Sequence, residues 1–118
     1  MKAAGLGFRA GATVDSIRNA FEAAGGRADA LAVPADKANA DCLVAFAKDV
    51  GLDVIAVTTA DMAAVSTLTH SPKVQAKRGT GSVAEACALV AAGADARLLG
   101  ARVVSGDRMA TCAMAERD

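Results

Sequence analysis

The sequence contains no Trp and no Tyr, and only three of its 118 residues are Phe. Proteins that bind single-stranded nucleic acids stack the bases on aromatic side chains, and duplex binding relies on an excess of positive charge. Here thirteen basic and thirteen acidic side chains cancel. We therefore expect no nucleic-acid partner. With aromatic residues scarce, the core must be built mainly from Ala, Val, Leu and Met.

Metal-binding and disulfide patterns are also lacking. There is one histidine, and the three cysteines, Cys42, Cys87 and Cys112, lie far apart without a CxxC pair. Zinc sites and disulfide frameworks need paired or clustered ligands, so the three thiols are interpreted as small core residues. No cofactor is indicated either.

Long apolar segments are missing as well. None approaches the ~20 residues that span a bilayer. Residues 1–7 are too short and too rich in glycine for a signal peptide. The sequence thus predicts a cytoplasmic protein without a membrane partner.

Strand and helix patterns alternate along the chain. Apolar runs predict strands, and apolar positions three or four residues apart predict helices. Ser105-Gly106-Asp107 separates two further strand-like segments, which indicates an antiparallel hairpin. The sequence predicts an α/β fold with a single domain over residues 1–118, in which a mixed, mostly parallel sheet is flanked by helices and ends in a C-terminal β-hairpin. The predicted strands are 2–6, 28–33 and 53–57, and the predicted helices begin near Thr13, Leu43 and Val83.

Several local patterns give finer expectations. Residues 53–57 (DVIAV) form a continuous apolar, β-branched run, typical of a strand that is buried on both faces. Ser82 and Glu85 have the spacing of a capping box, in which each side chain bonds the other residue's backbone N–H. Residues 66–81 are polar and irregular, so we expect a flexible segment with an exposed His70.

The carboxyl ends of the first strands are the expected ligand edge. Open α/β sheets bind ligands there, and the loops 7–12, 34–41 and 58–61 would share that edge, with 79–82 nearby. Arg9 and Lys37 lie in two of these loops. They are either anchors for an anionic ligand or solvated surface charges.

Residues 5–11 (GLGFRAG) have the spacing G-x-G-x-x-x-G, one residue longer than the dinucleotide fingerprint. A tight strand-to-helix turn explains these glycines equally well, with Gly7 and Gly11 needed for a positive φ or a close backbone approach. No arrangement of nucleophile, base or paired carboxylates can be identified, so catalytic residues stay unknown.

Three segments together resemble a known family. They are GLGFRAG at 5–11, Lys37 after the second strand, and GSVAEACAL at 81–89. With the TCAMA strand at 111–115, their order and spacing are similar to the family shared by CobE and the C-terminal domain of CbiG. Where that family has Cys in the first loop, this chain has Phe8, and the family's Glu after the Lys falls on Ala40.

The resemblance implies a role in cobalamin (vitamin B12) biosynthesis. The leading hypothesis is a protein that binds or hands over a carboxylate-rich corrinoid or precorrin intermediate of the aerobic route. Alternatives are a hydrolase on such an intermediate, similar to the cobalt-precorrin-5A lactone opening of two-domain CbiG proteins, and a non-catalytic partner of another pathway enzyme that docks through 66–81. The candidate ligand-binding residues are Gly7, Phe8, Arg9, Gly11, Lys37, Thr80, Gly81 and Ser82.

We expect the purified protein to hold no stoichiometric zinc and to bind neither ATP nor NAD in the micromolar range. The reason is the single histidine, the unpaired cysteines and the glycine spacing described above. Elemental analysis and titration calorimetry check this. One equivalent of zinc, or a micromolar Kd for either nucleotide, would contradict it.

Overall fold

A computed structural model describes residues 1–72, 74–75 and 81–118. Its strands pair into one sheet in the order β3-β2-β1-β6-β4, with β5 also paired to β6. The strands are β1 Lys2–Phe8, β2 Ala30–Pro34, β3 Asp53–Val57, β4 Arg97–Leu98, β5 Val103–Val104 and β6 Ala110–Glu116. The helices are α1 Val14–Ala23, the 3-10 helix Ala35–Lys37, α2 Asp41–Val50, α3 Thr59–Ala63 and α4 Val83–Ala92. Within the described ranges, no helix has the length and hydropathy needed to cross a membrane.

The prediction of a single α/β domain with a mixed sheet is confirmed, but the expectation of a mostly parallel sheet is wrong. β1 pairs with β2 and β2 with β3 in parallel, whereas β6 is antiparallel to β1, β4 and β5. β6 pairs with β1 along its whole length, from Lys2↔Glu116 to Phe8↔Ala110. The chain therefore ends at the centre of the sheet, beside the strand with which it began.

The expectation that residues 53–57 are buried on both faces is also wrong. β3 lies at the edge of the sheet, and of its five residues only Val57 is buried. β2, one position further in, is buried at all five residues. The edge position explains the exposure of β3, because an edge strand has a neighbouring strand on one side only.

The two faces of the sheet carry different layers. On one face, α1 and α2 pack over Leu6, Leu31 and Val33, and the rings of Phe21 and Phe46 meet edge to face with centroids 5.4 Å apart. The aromatic side chains thus concentrate in this one layer. Cys112 belongs to it, and burial raises the pKa of its thiol to about 12. Cys87 is likewise buried, while Cys42 is half-buried.

On the other face, α4 lies very close to β1. A Cβ added at Gly5 would come within 1.8 Å of the Ala84 carbonyl oxygen and 2.6 Å of the Ala88 amide nitrogen. Both alanines are fully buried. Small side chains on the helix and glycine on the strand therefore allow the two backbones to approach.

Gly7 and Gly11 do not form the predicted turn with positive φ, since neither is among the glycines in that region. Gly7 lies inside β1, where an added Cβ would be 2.8 Å from Thr111 Oγ1. At Gly11 the nearest atom would be the flexible Met109 Cε, 3.1 Å away. The close approach that glycine permits is tightest at Gly5.

The predicted capping box at Ser82 forms only in part. The Ser82 hydroxyl accepts a hydrogen bond from the Glu85 N–H at 3.4 Å, but the Glu85 side chain, which is fully buried, bonds other groups. Its Oε1 accepts from the N–H groups of Leu68 (2.6 Å) and Thr69 (2.8 Å). Its Oε2 accepts from Thr69 Oγ1 (2.5 Å) and the Arg102 N–H (2.8 Å).

Two opposed effects set the pKa of Glu85. Burial has the largest single effect and raises the pKa. The hydrogen bonds from Thr69, Arg102 and Leu68 together lower the pKa by more than burial raises it, so the net pKa lies below its ordinary value of 4.5. A carboxyl group whose pKa is lowered by folding stabilises the fold above its unfolded pKa. That contribution is lost as the pH falls through the folded pKa.

We expect Gly5→Ala to lower the free energy of unfolding by at least the 1–3 kcal/mol that is typical of overpacking, about 4 °C in Tm per kcal/mol. The clash is with helix backbone, which cannot rotate aside. Gly100→Ala is the matched control, because an added Cβ there meets nothing within 4 Å. Equal melting curves for both variants would contradict the close packing of α4 on β1.

Glu85→Gln should lower the free energy of unfolding at neutral pH by about 1.5–3 kcal/mol, since a hydrogen bond to a charged group contributes that much. The stability of the unmodified protein should fall as the pH drops below about 4.5, the ordinary value for this group. The stability of the variant should fall less steeply in this pH range, because the variant lacks this titrating carboxyl group. Denaturant unfolding at several pH values measures both effects. The exposed Glu22→Gln is the control, and equal pH profiles for all three proteins would contradict the role of Glu85.

Candidate functional site

A pocket of about 590 Å³ lies at the carboxyl ends of β1 and β2. Gly7 and Phe8 at the end of β1, and Pro34 at the end of β2, form part of its lining. Because β6 runs antiparallel to β1, the start of β6 reaches the same edge and adds Ala110 and Thr111. The pocket is thus at the predicted edge, with the C-terminal hairpin as an additional wall.

Four cationic residues line this pocket: Arg9, Lys37, Arg102 and Arg108. The described lining contains neither Asp nor Glu. None of the four forms an ion pair with a carboxylate among the described residues. Outside the pocket, Arg18 bonds Asp15 and Asp49, and Arg97 bonds Glu116 and Asp118. Four cations that have no ion-pair partner among the described residues therefore line one pocket.

Lys37 is placed against an aromatic ring. It ends the 3-10 helix that follows β2, and its Nζ lies 5.4 Å from the centroid of Phe8. Ammonium groups are attracted to aromatic faces at this range. Phe8 thus gives the pocket an apolar surface and also fixes the position of a cation.

Arg108 is held in an uncommon backbone conformation, with φ at +62°. The neighbouring carboxylate of Asp107 stabilises this turn by accepting hydrogen bonds from Ser105 Oγ (2.6 Å), Ser16 Oγ (2.5 Å) and the Met109 N–H (3.0 Å). These bonds lower the pKa of Asp107, with Ser105 the largest cause. Since Ser16 belongs to α1, the turn that carries Arg108 is tied to the helix layer.

Apolar side chains complete the lining. Val74, Val83, Val104 and Met109 line the pocket together with Phe8 and Pro34. The described part of the pocket therefore combines an apolar surface with cations from several segments of the chain, an arrangement suited to a ligand with an apolar body and several anionic groups.

The structure brings together four of the eight predicted site residues, Gly7, Phe8, Arg9 and Lys37. Gly11 is exposed and outside the lining, while Gly81 and Ser82 are buried at the start of α4. An added Cβ at Gly81 would lie 2.5 Å from the Thr69 carbonyl oxygen, so that glycine is in tight contact with the preceding loop. Thr80, like Lys77 and Arg78, lies outside the described residues.

Sequence reasoning missed Arg102 and Arg108. The sequence signal for both residues is the segment RVVSGDR at 102–108. Arg102 lies just before the first hairpin strand, and Arg108 lies at the end of the turn that follows it. That pattern points to the ligand edge only once β6 is known to pair with β1. Arg97, which belongs to β4, is outside this pocket's lining.

The described lining offers little for acid–base chemistry. It contains no His, Cys, Asp or Glu, and its side-chain hydroxyls belong to Ser71 and Thr111. Thr111 Oγ1 bonds the Gly7 carbonyl oxygen at 3.4 Å, and His70 is exposed outside the lining, as its polar surroundings predicted. Among the described residues, no group of three or more His, Cys, Asp and Glu could hold a metal. The cations of the described lining are suited to binding anions.

Comparisons with known proteins identify the fold and the family of the chain. The family model described as "Cobalamin synthesis G C-terminus" matches residues 3–115. No curated protein matches the chain. Among solved structures, the chain is similar to CobE, described as a protein from the cobalamin (vitamin B12) biosynthetic pathway. The two are 27% identical with a TM-score of 0.85, over 100% of this chain and 91% of that one.

A second similar structure is the cobalamin biosynthesis protein chiG from Agrobacterium tumefaciens str. C58. It is 36% identical with a TM-score of 0.75, and the match covers 100% of this chain and 99% of that chain. The family model and both structures thus extend over nearly the whole sequence. The chain belongs to the CbiG C-terminal/CobE family of cobalamin biosynthesis proteins.

Proposed function

We propose that this chain binds a carboxylate-rich corrinoid or precorrin intermediate of cobalamin biosynthesis in the cationic pocket. The observation that carries the proposal is the set of Arg9, Lys37, Arg102 and Arg108 around one pocket, without an acidic residue in its described lining. Family membership supplies the pathway, and the pocket supplies the chemical class of the ligand.

The chemistry of such intermediates complements the pocket. They are apolar macrocycles that carry acetate and propionate side chains around the rim. Guanidinium groups bind carboxylates through two parallel hydrogen bonds, which suits the three arginines. Phe8, Val83 and Val104 offer apolar surface to the ring. A bound polycarboxylate would neutralise charges that the described residues leave unpaired.

The alternative of a hydrolase gains no support from the pocket. Hydrolysis requires a group that activates water, usually His, Asp or Glu within hydrogen-bond reach. The described lining offers only the hydroxyls of Ser71 and Thr111. Binding, or hand-over to another pathway enzyme, is the activity that these residues favour.

A direct test compares two corrins that differ in charge. Dicyanocobyrinic acid carries free carboxylates, whereas in dicyanocobinamide the side chains are amides. Titration of the protein, followed by visible absorbance, should show binding of the acid, weaker binding of the amide, and loss of affinity with added salt. Equal affinity for both would contradict recognition by charge. Slow conversion of the bound acid or of precorrin intermediates would instead favour the hydrolase.

Arg9→Ala, Lys37→Ala, Arg102→Ala and Arg108→Ala should each weaken binding of the acid about tenfold or more. A hydrogen bond to a charged group contributes on the order of 1.5–3 kcal/mol, which corresponds to that factor. Tm should change little for Arg9→Ala, because exposed charges contribute at most about 1 kcal/mol. The measurement is the same absorbance titration.

Arg97→Ala is the matched control for loss of one positive charge, since Arg97 lies outside the pocket. It should bind the acid like the unmodified protein. If the pocket variants and the control bind alike, the ligand site is elsewhere. If the unmodified protein binds no corrin polycarboxylate, the proposed function fails and the role of partner subunit takes its place.

A further inference from the structure

Glu85 is a buried carboxylate that lies outside the lining of the pocket. It belongs to the first turn of α4, where the helix dipole favours a negative charge. Its hydrogen bonds reach two segments that are far apart in sequence, Leu68–Thr69 and Arg102. Each of these segments leads directly into a wall of the pocket.

The first segment carries the wall of Ser71 and Val74. Glu85 Oε1 accepts from both the Leu68 and Thr69 N–H groups, so two consecutive amides converge on one oxygen. The chain is then fixed again at Ser71, whose N–H bonds the Gly81 carbonyl oxygen at 2.9 Å. The wall is thus tied to the start of α4 at two places.

The second segment carries the wall of Arg102 and Val104. The Arg102 N–H bonds Glu85 Oε2 at 2.8 Å, immediately before β5 begins. Between β4 and β5, one other hydrogen bond holds the described backbone, and it joins the Leu99 N–H to the Met114 carbonyl oxygen of β6. Glu85 therefore positions the backbone of Arg102, and with it the point from which the Arg102 side chain extends.

Only an ionised carboxylate satisfies all four donors. It accepts through two oxygens and donates nothing, whereas the amide of Gln has a single acceptor oxygen and directs an NH₂ group at the remaining donors. The alternative role in a capping box would need Glu85 to bond the Ser82 N–H. The observed bonds connect loops instead.

We propose that Glu85 is a positioning residue of the pocket, which holds the wall of Ser71 and Val74 and the wall of Arg102 and Val104 at a fixed separation. Affinity for an anionic ligand then depends on Glu85 although Glu85 does not touch the ligand. The inference rests on the proposed function for this consequence, but the anchoring itself can be measured without a ligand.

Amide hydrogen exchange tests the anchoring. In Glu85→Gln, the amides of Leu68, Thr69 and Arg102 should exchange faster, whereas the Gly106 and Met109 amides, bonded to Asn19 and Asp107, should not. Thr69→Val keeps the carboxylate and the fold while it removes one donor, so it should give a smaller change in the same direction. Unchanged exchange of these amides in both variants would overturn the proposal.

A double-mutant cycle tests the consequence for binding, with dicyanocobyrinic acid as the probe. Glu85→Gln should weaken binding about tenfold in the unmodified protein and much less in the Arg102→Ala background, because it acts through Arg102. In the Arg97→Ala background, Glu85→Gln should still weaken binding about tenfold. Additive losses with Arg102→Ala would overturn the positioning role.

Phe46→Leu is the control for general loss of stability, since Phe46 lies in the other helix layer. It should lower Tm and leave binding unchanged at a temperature where the fold is intact. If the unmodified protein does not bind the probe, the proposed function fails together with the ligand consequence. The exchange data then still decide whether Glu85 anchors the two segments.

Discussion

The buried carboxylate of Glu85 is the constraint on which the rest of this structure depends. A charge removed from water is costly unless hydrogen bonds replace its hydration, and here four donors do so. Those donors come from segments 17 and 16 residues before it and 17 residues after it. Glu85 therefore connects α4 to both segments, and through them to Ser71, Val74 and Arg102 of the pocket lining.

That arrangement is possible because the chain has so few large side chains. α4 lies on β1 through Gly5, Ala84 and Ala88, which brings the first turn of the helix close to the centre of the sheet. Larger residues at this contact would move Glu85 away from the backbone amides that it accepts from. The opposite layer, with Phe21 and Phe46, supplies the bulky apolar packing instead. The scarcity of aromatic residues and the burial of a charge are thus related. In this layer, close contact between backbones takes the place of large side chains.

Local signals in the sequence predicted local structure well. Helix α1 begins beside Thr13, as expected, and β3 has the predicted bounds. One error is local, the positive φ expected at Gly7 or Gly11. The other errors concern partners that are distant in sequence. The pairing of β6 with β1, the edge position of β3 and the donors to Glu85 depend on which segments meet, and residue patterns within one segment do not encode that. Arg9 and Lys37 were found because they follow strands directly, whereas Arg102 and Arg108 reach the pocket only through the antiparallel return of β6.

The distribution of charge supports the proposed anion site at this edge of the sheet. With equal numbers of acidic and basic side chains, the protein has enough carboxylates to pair every cation. Among the described residues, carboxylates pair with Arg18 and Arg97, which lie outside the pocket lining, and none pairs with the four pocket cations. Asp107, next to Arg108 in sequence, accepts hydrogen bonds from Ser105, Ser16 and Met109. Arg108 meanwhile occupies a backbone region that non-glycine residues avoid. Like charges gathered on one surface, and a strained backbone beneath one of them, reduce stability. An anionic ligand would offset the repulsion between the charges, which is the physical reason to propose these four cations as a binding site.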